Sequence, residues 1–199
     1  MTGVVTNPAK QKLGNANSKC LARDIQGLEM IPLGPLNGKS FATSISPWII
    51  TLEALQPSAA AGPSRELEVA TYLSDPNPIN TYDLHLQADL IVNEKETVIC
   101  KSDLKTMYWS FRDLIAHQTS NGSNINTGDI LATGTISGHT DDSHGCLLEL
   151  TNGGQDSFQI SEGSNRLYLE DGDILRLTAV ASDGVGFGEC IGRVMPSLS

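Results

Sequence analysis

Positive charge and aromatic side chains are scarce in this sequence. The 13 Lys and Arg residues are outnumbered by 23 Asp and Glu residues, so the formal net charge is −10 at pH 7. Proteins bind phosphate groups with clustered Lys and Arg side chains, and no basic cluster with interleaved aromatic residues is present. The composition therefore argues against nucleic acid or an anionic membrane surface as a partner.

Long apolar runs and cysteine pairs are also missing. A membrane-spanning helix needs a run of about 18 or more apolar residues, and the sequence contains none. The first residues lack the apolar core of a signal peptide. The four cysteines, Cys20, Cys100, Cys146 and Cys190, form no C-x-x-C pair. We therefore expect buried thiols in a reduced, cytoplasmic protein with no membrane partner.

Several well-known catalytic and nucleotide-binding motifs are absent as well. The sequence contains no G-x-S-x-G elbow, no Walker loop and no dinucleotide-binding fingerprint. The Gly-rich stretch 184–188 lies between two predicted strands and does not open a helix, so we interpret it as a turn. Serine-hydrolase and nucleotide-binding functions are therefore not indicated.

Alternation of apolar and polar residues is the main pattern present, and it predicts a mainly β protein. Between Tyr82 and Val92 the alternation is typical of a half-buried strand. Its apolar face would carry Leu84, Leu86, Ala88 and Leu90, and its polar face Asp83, His85, Gln87 and Asp89. A polar turn at Glu94-Lys95 and a second strand over 97–101 complete a hairpin. Extended structure is also predicted over 39–51, 129–136, 146–151, 166–169, 174–181 and 188–194.

One main helix is predicted, over about residues 102–119, with Ser102 or Asp103 as its N-cap. Its apolar stripe, expected in the core, consists of Leu104, Met107, Tyr108, Phe111, Leu114 and Ile115. Residues 1–19 are polar and show little periodicity, so we interpret them as an N-terminal arm. Residues 20–199 then form one domain, which is long enough to bury a core of its own.

Six segments together resemble the C-terminal catalytic domain of the fumarylacetoacetase family. They are ARDIQ (22–26), PLGPLNGKSFATSISPWIITLEAL (32–55), ICKSDLKTMYW (99–109), SNGSNINTGDILATGTISG (120–138), GCLLEL (145–150) and GFGECIGRVMPSL (186–198). Their order and spacing match the family from about residue 20 to the C-terminus. The resemblance implies a shortened β-roll, usually dimeric. It also implies an enzyme that cleaves a carbon–carbon bond of a β-diketone acid or acts on related oxo-acids.

The resemblance further implies a set of site residues. Arg23, Gln26 and Lys39 match positions that stabilise an oxyanion or carbanion, Thr43 a position beside the family's cation, Thr135 a substrate-contacting threonine, and Glu149 the carboxylate that orients a catalytic His. The chemistry suits these roles because a developing enolate needs fixed positive charge and donors aimed at its oxygens. Glu149 lies within an apolar stretch that we predict to be a strand, and a carboxylate there needs a partner.

The family's metal site is not reproduced in this sequence. The family holds Mg or Ca with several carboxylates, one of them in an Asn-Asp-Trp-Ser stretch that aligns with 18–21, where Lys19 stands in the carboxylate position. An ammonium group cannot ligate a divalent cation and repels it. The other family ligands and the catalytic His precede the region that this sequence matches. We therefore expect no metal or other cofactor, with Lys19 supplying positive charge to a substrate.

Two functions stay open at this point. The first is an enzyme that binds a small β-dicarbonyl or polyketide-like oxo-acid and either hydrolyses a carbon–carbon bond or, without metal, isomerises, cyclises, dehydrates or decarboxylates its substrate. A replacement acid–base pair, His139 and His144, is available in the loop before Glu149, although a solvated polar loop is the plainer interpretation. The second is a catalytically silent homologue or assembly partner. We expect a homodimer, because a shortened β-roll leaves strand edges to be covered.

Overall fold

Short strands make up most of the regular structure. The computed structural model of the chain describes residues 22–197 and the backbone of three earlier segments, 5–7, 12–14 and 18–20. The strands are β1 (Val5–Asn7), β2 (Lys12–Gly14), β3 (Ser18–Cys20), β4 (Ala42–Ser44), β5 (Ile49–Thr51), β6 (Ala59–Ala61), β7 (Ile79–Tyr82), β8 (Leu84–Val92), β9 (Lys95–Asp103), β10 (Leu131–Ala132), β11 (Phe158–Gln159), β12 (Asn165–Arg166), β13 (Ile174–Ala181) and β14 (Gly186–Arg193). The α-helices are α1 (Arg23–Glu29), α2 (Leu36–Lys39), α3 (Phe111–Thr119) and α4 (Leu147–Leu150), and 3-10 turns lie at Gln56–Ser58, Thr71–Leu73 and Leu104–Thr106. The prediction of a mainly β, shortened β-roll is confirmed.

The main sheet has four antiparallel strands in the order β14-β13-β8-β9. The predicted hairpin is its β8–β9 pair, and its turn lies at Asn93-Glu94, one residue earlier than predicted. Both turn residues have positive φ, 49° and 66°. Two-residue hairpin turns of this kind twist with the strands, and Asn tolerates the left-handed conformation well. The conformational preference of Asn93 therefore sets the turn position.

The core lies on one face of this sheet, where the predicted apolar face of β8 is confirmed. A first core cluster consists of Leu55, Leu84, Leu86, Leu104, Ile136, Ala179, Ala181 and Phe187. A second consists of Ala88, Leu90, Val92, Ile99, Cys100, Ile160, Leu177 and Cys190. Truncating a fully buried leucine such as Leu90 to Ala is expected to cost about 2–5 kcal/mol. On the opposite face, Asp89 is only 1% exposed, because Arg176 covers it with hydrogen bonds of 2.9 and 3.1 Å.

The predicted helix over 102–119 is wrong at its N-terminus. Ser102 and Asp103 end β9 and cap no helix, and α3 begins at Phe111. The N-cap is Ser110, whose hydroxyl accepts from the Asp113 N–H while the Asp113 carboxylate accepts from the Ser110 N–H. This reciprocal capping box fixes the helix start. The apolar stripe continues upstream only because the 3-10 turn before α3 buries Leu104 at a similar spacing.

The predicted strand over 146–151 is also wrong, because residues 147–150 form α4. The Cys146 carbonyl accepts from the N–H groups of Glu149 and Leu150, both at 3.1 Å. One helical turn places Leu147 and Leu150 against the second core cluster. Four residues are too few to separate a strand from a helical turn by periodicity. Of the other predicted strands, β13 has the predicted bounds, whereas β10 and β12 are only two residues long.

The N-terminal strands connect parts of the chain that carry predicted site residues. In a second four-stranded sheet the order is β10-β1-β2-β5, and β3 pairs with β4 in a separate antiparallel ladder. Segments 42–51 and 131–132 are therefore held by the same stretch of chain, which is also the stretch interpreted as an arm. None of the helices in the described part of the chain has the length and apolar character to cross a bilayer.

Candidate functional site

Arg23 and Gln26 lie one turn apart on α1 and contact each other directly. Nη1 of Arg23 donates to Oε1 of Gln26 at 2.6 Å, and both side chains are partly buried. The helix forms here because the Gln26 N–H reaches the Ala22 carbonyl at 2.8 Å and Asp24 places a carboxylate in the first turn. Since the amide oxygen is engaged, the Gln26 NH2 group remains as a donor.

Gly38 brings the end of α2 against α1. Its carbonyl accepts from the Ala22 N–H at 3.1 Å. A Cβ at this position would lie 2.8 Å from the Gln26 nitrogen and 2.9 Å from its Cα, so only glycine allows the approach. Lys39 follows Gly38 directly and is exposed. Arg23, Gln26 and Lys39, named here the basic–amide group, are thus brought together by one helix-to-helix contact.

The Glu29 carboxylate holds the start of α2. It accepts from the N–H of Asn37 at 3.1 Å and from the N–H of Gly38 at 2.9 Å. The hydrogen bond from Gly38 lowers the pKa of Glu29 below its ordinary value, because it favours the ionised form. Glu29 was not singled out from the sequence. The carboxylate precedes the P-L-G-P turn by only a few residues, and that spacing is the signal that could have suggested a loop clamp.

Thr43 lies in β4, and its Cα partner in β3 is Lys19. The Thr43 side chain is exposed. The side chain of Lys19 lies outside the described residues, as does that of Cys20, so the structure gives only the register of this pair. That register places Lys19 opposite Thr43, across one ladder that begins three residues after the basic–amide group ends.

Glu149 belongs to a second group, formed with Thr135, Ser137 and Gly145 and named here the carboxylate group. Its Oε2 accepts from the Ser137 hydroxyl at 2.6 Å and from the Gly145 N–H at 2.9 Å. A Cβ on Gly145 would meet Cγ2 of Thr135 at 2.5 Å, so Thr135 packs directly on this glycine. The sequence analysis missed Ser137, although it follows the buried Ile136 within the same T-I-S-G stretch.

His139 and His144 lie in the loop 138–145, which joins the two sides of the carboxylate group. Nδ1 of His144 lies 2.7 Å from the Asp141 carbonyl, so a neutral ring donates there and keeps its Nε2 lone pair. The Lys101 N–H on β9 donates to the Asp142 carbonyl at 2.7 Å and tethers the loop to the main sheet. His139 is exposed. An acid–base role for either histidine stays a prediction.

The donors of the basic–amide group do not suit Mg or Ca. Gln26 Oε1 is occupied by Arg23, and both oxygens of Glu29 are occupied by backbone N–H groups. Hard divalent cations need several oxygen ligands, usually including carboxylates. Two cationic side chains, Arg23 and Lys39, instead give this group a positive charge. The described residues here fit an anionic oxygen better than a cation.

In class, the chain is a mainly β domain with an open antiparallel sheet and short helices that carry its polar groups. The sequence profile of the fumarylacetoacetate (FAA) hydrolase C-terminal family matches residues 16–195. The chain therefore belongs to the fumarylacetoacetate hydrolase family.

Similar curated proteins carry the name fumarylacetoacetase. The chain is 46% identical over 182 residues to fumarylacetoacetase of Oryza sativa subsp. japonica, an alignment that covers 89% of this chain and 42% of the rice protein. It is 43% identical over 183 residues to fumarylacetoacetase fahA of Aspergillus fumigatus, with 89% and 42% covered. It is 40% identical over 182 residues to the human fumarylacetoacetase, with 89% and 43% covered. The chain thus spans less than half the length of these relatives.

Proposed function

We propose that this chain is the substrate-holding part of a fumarylacetoacetase-like enzyme that acts on a β-dicarbonyl or polyketide-like oxo-acid by stabilising an enolate. The observation that supports it most is the basic–amide group, in which two cations and one oriented amide are held by the α1–α2 contact. By family default, the reaction is hydrolysis of a carbon–carbon bond.

The basic–amide group supplies what an enolate requires. Negative charge in the transition state spreads over two oxygens of a β-dicarbonyl, and preorganised donors there lower the barrier. The Arg23 hydrogen bond fixes the Gln26 amide with its NH2 group available to one oxygen. Lys39 offers a point charge to the other, and Arg23 a planar set of donors. The three side chains therefore bind an anionic oxygen pair more strongly as charge develops.

The carboxylate group would supply the base. Glu149 is held by Ser137 and Gly145, so its carboxylate is positioned to accept a proton from water or to orient a histidine that does so. Thr135, packed on Gly145, would contact the substrate. Assembly of the two groups around one substrate is part of this proposal, and the pairing of β10 and β5 with the same N-terminal strands supports it.

The proposed chemistry uses no metal ion. Lys19 stands in the family's ligand position opposite Thr43, and an ammonium there would replace the positive charge of a cation. Without Lewis-acid assistance, lyase- or isomerase-type reactions of the same enolate are the main variants: isomerisation, cyclisation, dehydration or decarboxylation. Each proceeds through the same charge pattern on the substrate oxygens.

A second function, that of an assembly partner, is favoured by an apolar surface strip. The strip is defined by Leu28, Met30, Ile31, Leu33, Leu36, Phe41, Ile45, Trp48 and Ile49. Leu28, Ile31 and Leu33 are 86%, 87% and 84% exposed. Apolar patches of this kind mark interaction surfaces, and we propose that a second copy of the chain covers this one. A homodimer is compatible with either function.

The test is turnover of a panel of β-diketo acids that includes fumarylacetoacetate, followed by product analysis. Lys39→Ala and Glu149→Gln are each expected to lower turnover at least tenfold, whereas the matched control Lys95→Ala, at an exposed position of the β8–β9 hairpin, leaves it unchanged. Circular dichroism confirms that each variant is folded. Folded variants that turn over the whole panel like the parent, or a parent that binds no member of it, would contradict the proposal.

A further inference from the structure

Three side chains outside the groups described above meet on the polar face of the main sheet. They are Asp83, His85 and Asp103. His85 and Asp103 are Cα partners across β8 and β9, and Asp83 precedes His85 by two residues, which places it on the same side of the chain. One ligand atom from each lies within 4.8 Å of the others. The backbone register alone thus collects one imidazole and two carboxylates.

The imidazole of His85 lies between the two carboxylates. Its Nδ1 is 2.5 Å from Oδ1 of Asp103, and its Nε2 is 4.0 Å from Oδ1 of Asp83. When Nδ1 donates its proton to Asp103, Nε2 keeps a lone pair directed toward Asp83. A histidine that ligates a metal usually has this arrangement, with its second nitrogen bound to a carboxylate that sets the tautomer and the ring orientation.

The ligand positions are fixed by backbone contacts. The Asp83 N–H donates to the Ser58 carbonyl at 2.7 Å, and the Asp83 carbonyl accepts from the Ser182 N–H at 2.9 Å. His85 is fixed by β8, which has ladders on both sides. The His85 side chain is nevertheless 57% exposed. The site is therefore preorganised and open to an ion from solution.

A tethered cation already occupies part of this site. Nζ of Lys105 lies 2.8 Å from Oδ1 of Asp83, and this contact raises the pKa of Lys105. The Lys105 side chain is itself well exposed, so it can move into water when another cation binds. An ion that binds Asp83 must compete with this ammonium group.

We propose that Nε2 of His85 and the Asp83 carboxylate bind a divalent transition-metal ion such as Zn²⁺, with Asp103 orienting the imidazole and Lys105 competing for Asp83. Mixed imidazole and carboxylate donors suit zinc, whereas Mg and Ca prefer oxygen ligands alone. Two ligands of a tetrahedral zinc ion lie about 3.3 Å apart for bonds near 2.0–2.1 Å, so small side-chain rotations close the 4.0 Å gap. Water completes the coordination. This inference does not depend on the proposed enzymatic function.

The test is titration of the untagged full chain with ZnCl2 by calorimetry, with MgCl2 in parallel. We expect saturable binding of one zinc ion and no comparable binding of magnesium. Asp83→Asn and His85→Gln abolish the zinc binding, Asp103→Asn weakens it by about 10–100-fold, and Lys105→Met strengthens it by removing the competing cation. His117→Gln, at an exposed histidine on α3, is the matched control and leaves the affinity unchanged.

A second measurement keeps the result independent of folding. The visible absorption of bound Co²⁺ reports a nitrogen-ligated site, and it is expected in the parent protein and in His117→Gln but not in folded His85→Gln. Zinc binding of equal affinity in the parent and His85→Gln would overturn the proposal. A parent protein that binds zinc no better than magnesium would also overturn it.

Discussion

The guanidinium of Arg23 holds the side-chain oxygen of Gln26 at 2.6 Å across one turn of α1. This single contact decides which end of the amide remains available, and it does so beside a second cation, Lys39. Charge and donor orientation at this point of the chain are therefore coupled.

Replacing the oriented amide with a carboxylate is expected to abolish binding of anionic ligands there. In Gln26→Glu the new carboxylate pairs with Arg23 and repels an enolate, whereas Gln118→Glu on the exposed surface of α3 is the matched control. Titration with a β-diketonate such as acetylacetonate measures the effect. A hydrogen bond to a charged group contributes roughly 1.5–3 kcal/mol, so the affinity of Gln26→Glu should fall at least tenfold. Equal affinities for the two variants would contradict a role of Gln26 in binding.

Adding a methyl group at Gly38 is expected to separate α2 from α1. The new Cβ in Gly38→Ala meets backbone atoms of Gln26 at 2.8 and 2.9 Å, and an overpacked contact of this kind costs about 1–3 kcal/mol. Gly27→Ala is the control, because a Cβ there meets nothing within 4 Å. At this helical position alanine should stabilise by about 0.5–1 kcal/mol. Denaturant unfolding gives both values, and a shift of the same sign in the two variants would contradict the packing model of this contact.

The start of α3 should depend on one hydroxyl. Ser110→Ala removes the acceptor of the Asp113 N–H and is expected to lower the free energy of unfolding by about 1 kcal/mol. Ser123→Ala, at an exposed position beyond the helix, is the control. Thermal unfolding followed by circular dichroism distinguishes them. If Ser110→Ala is as stable as Ser123→Ala, the capping box contributes nothing.

The clamp formed by Glu29 should weaken in acid. Folding lowers the pKa of this carboxyl from its ordinary value of 4.5, chiefly through the Gly38 N–H and also through Asn37, against a smaller opposing effect of burial. Its contribution to stability is therefore complete above that ordinary value and is lost as the pH falls through the lower, folded-state pKa. Glu29→Gln should remove this part of the acid dependence. Unfolding curves below pH 5 measure it, with Glu68→Gln as an exposed control; identical acid profiles for the two variants would be the contrary result.

The apolar strip should determine the association state. Leu33→Glu places a charge at its most exposed part and is expected to convert a dimer to a monomer, because burying an unpaired carboxylate is costly. Leu67→Glu changes an equally exposed leucine outside the strip and is the control. Sedimentation equilibrium gives the masses. A parent protein that remains monomeric at all concentrations would contradict the proposed covering of the strip by a second copy.

Patterns that act over a few residues could be predicted, and those that depend on distant contacts could not. The β8–β9 hairpin follows from local alternation, and β13 has the predicted bounds because its residues alternate over eight positions. The start of α3 was missed because the stripe from Leu104 continues through a 3-10 turn into the helix. The strand predicted around Glu149 is a helical turn, since Leu147 and Leu150 fit either periodicity. Ser137 could not be connected with Glu149, because their hydrogen bond spans the loop that contains both histidines.

The backbone bond from Lys101 to Asp142 joins the histidine-containing loop to a rigid strand at the margin of the main sheet. Any movement of that loop away from β9 has to release the Lys101 amide to water. Hydrogen–deuterium exchange at this one amide is therefore a built-in reporter of loop opening. It needs no attached label, and it lies far enough along the chain from both histidines that neither has to be altered to record their motion.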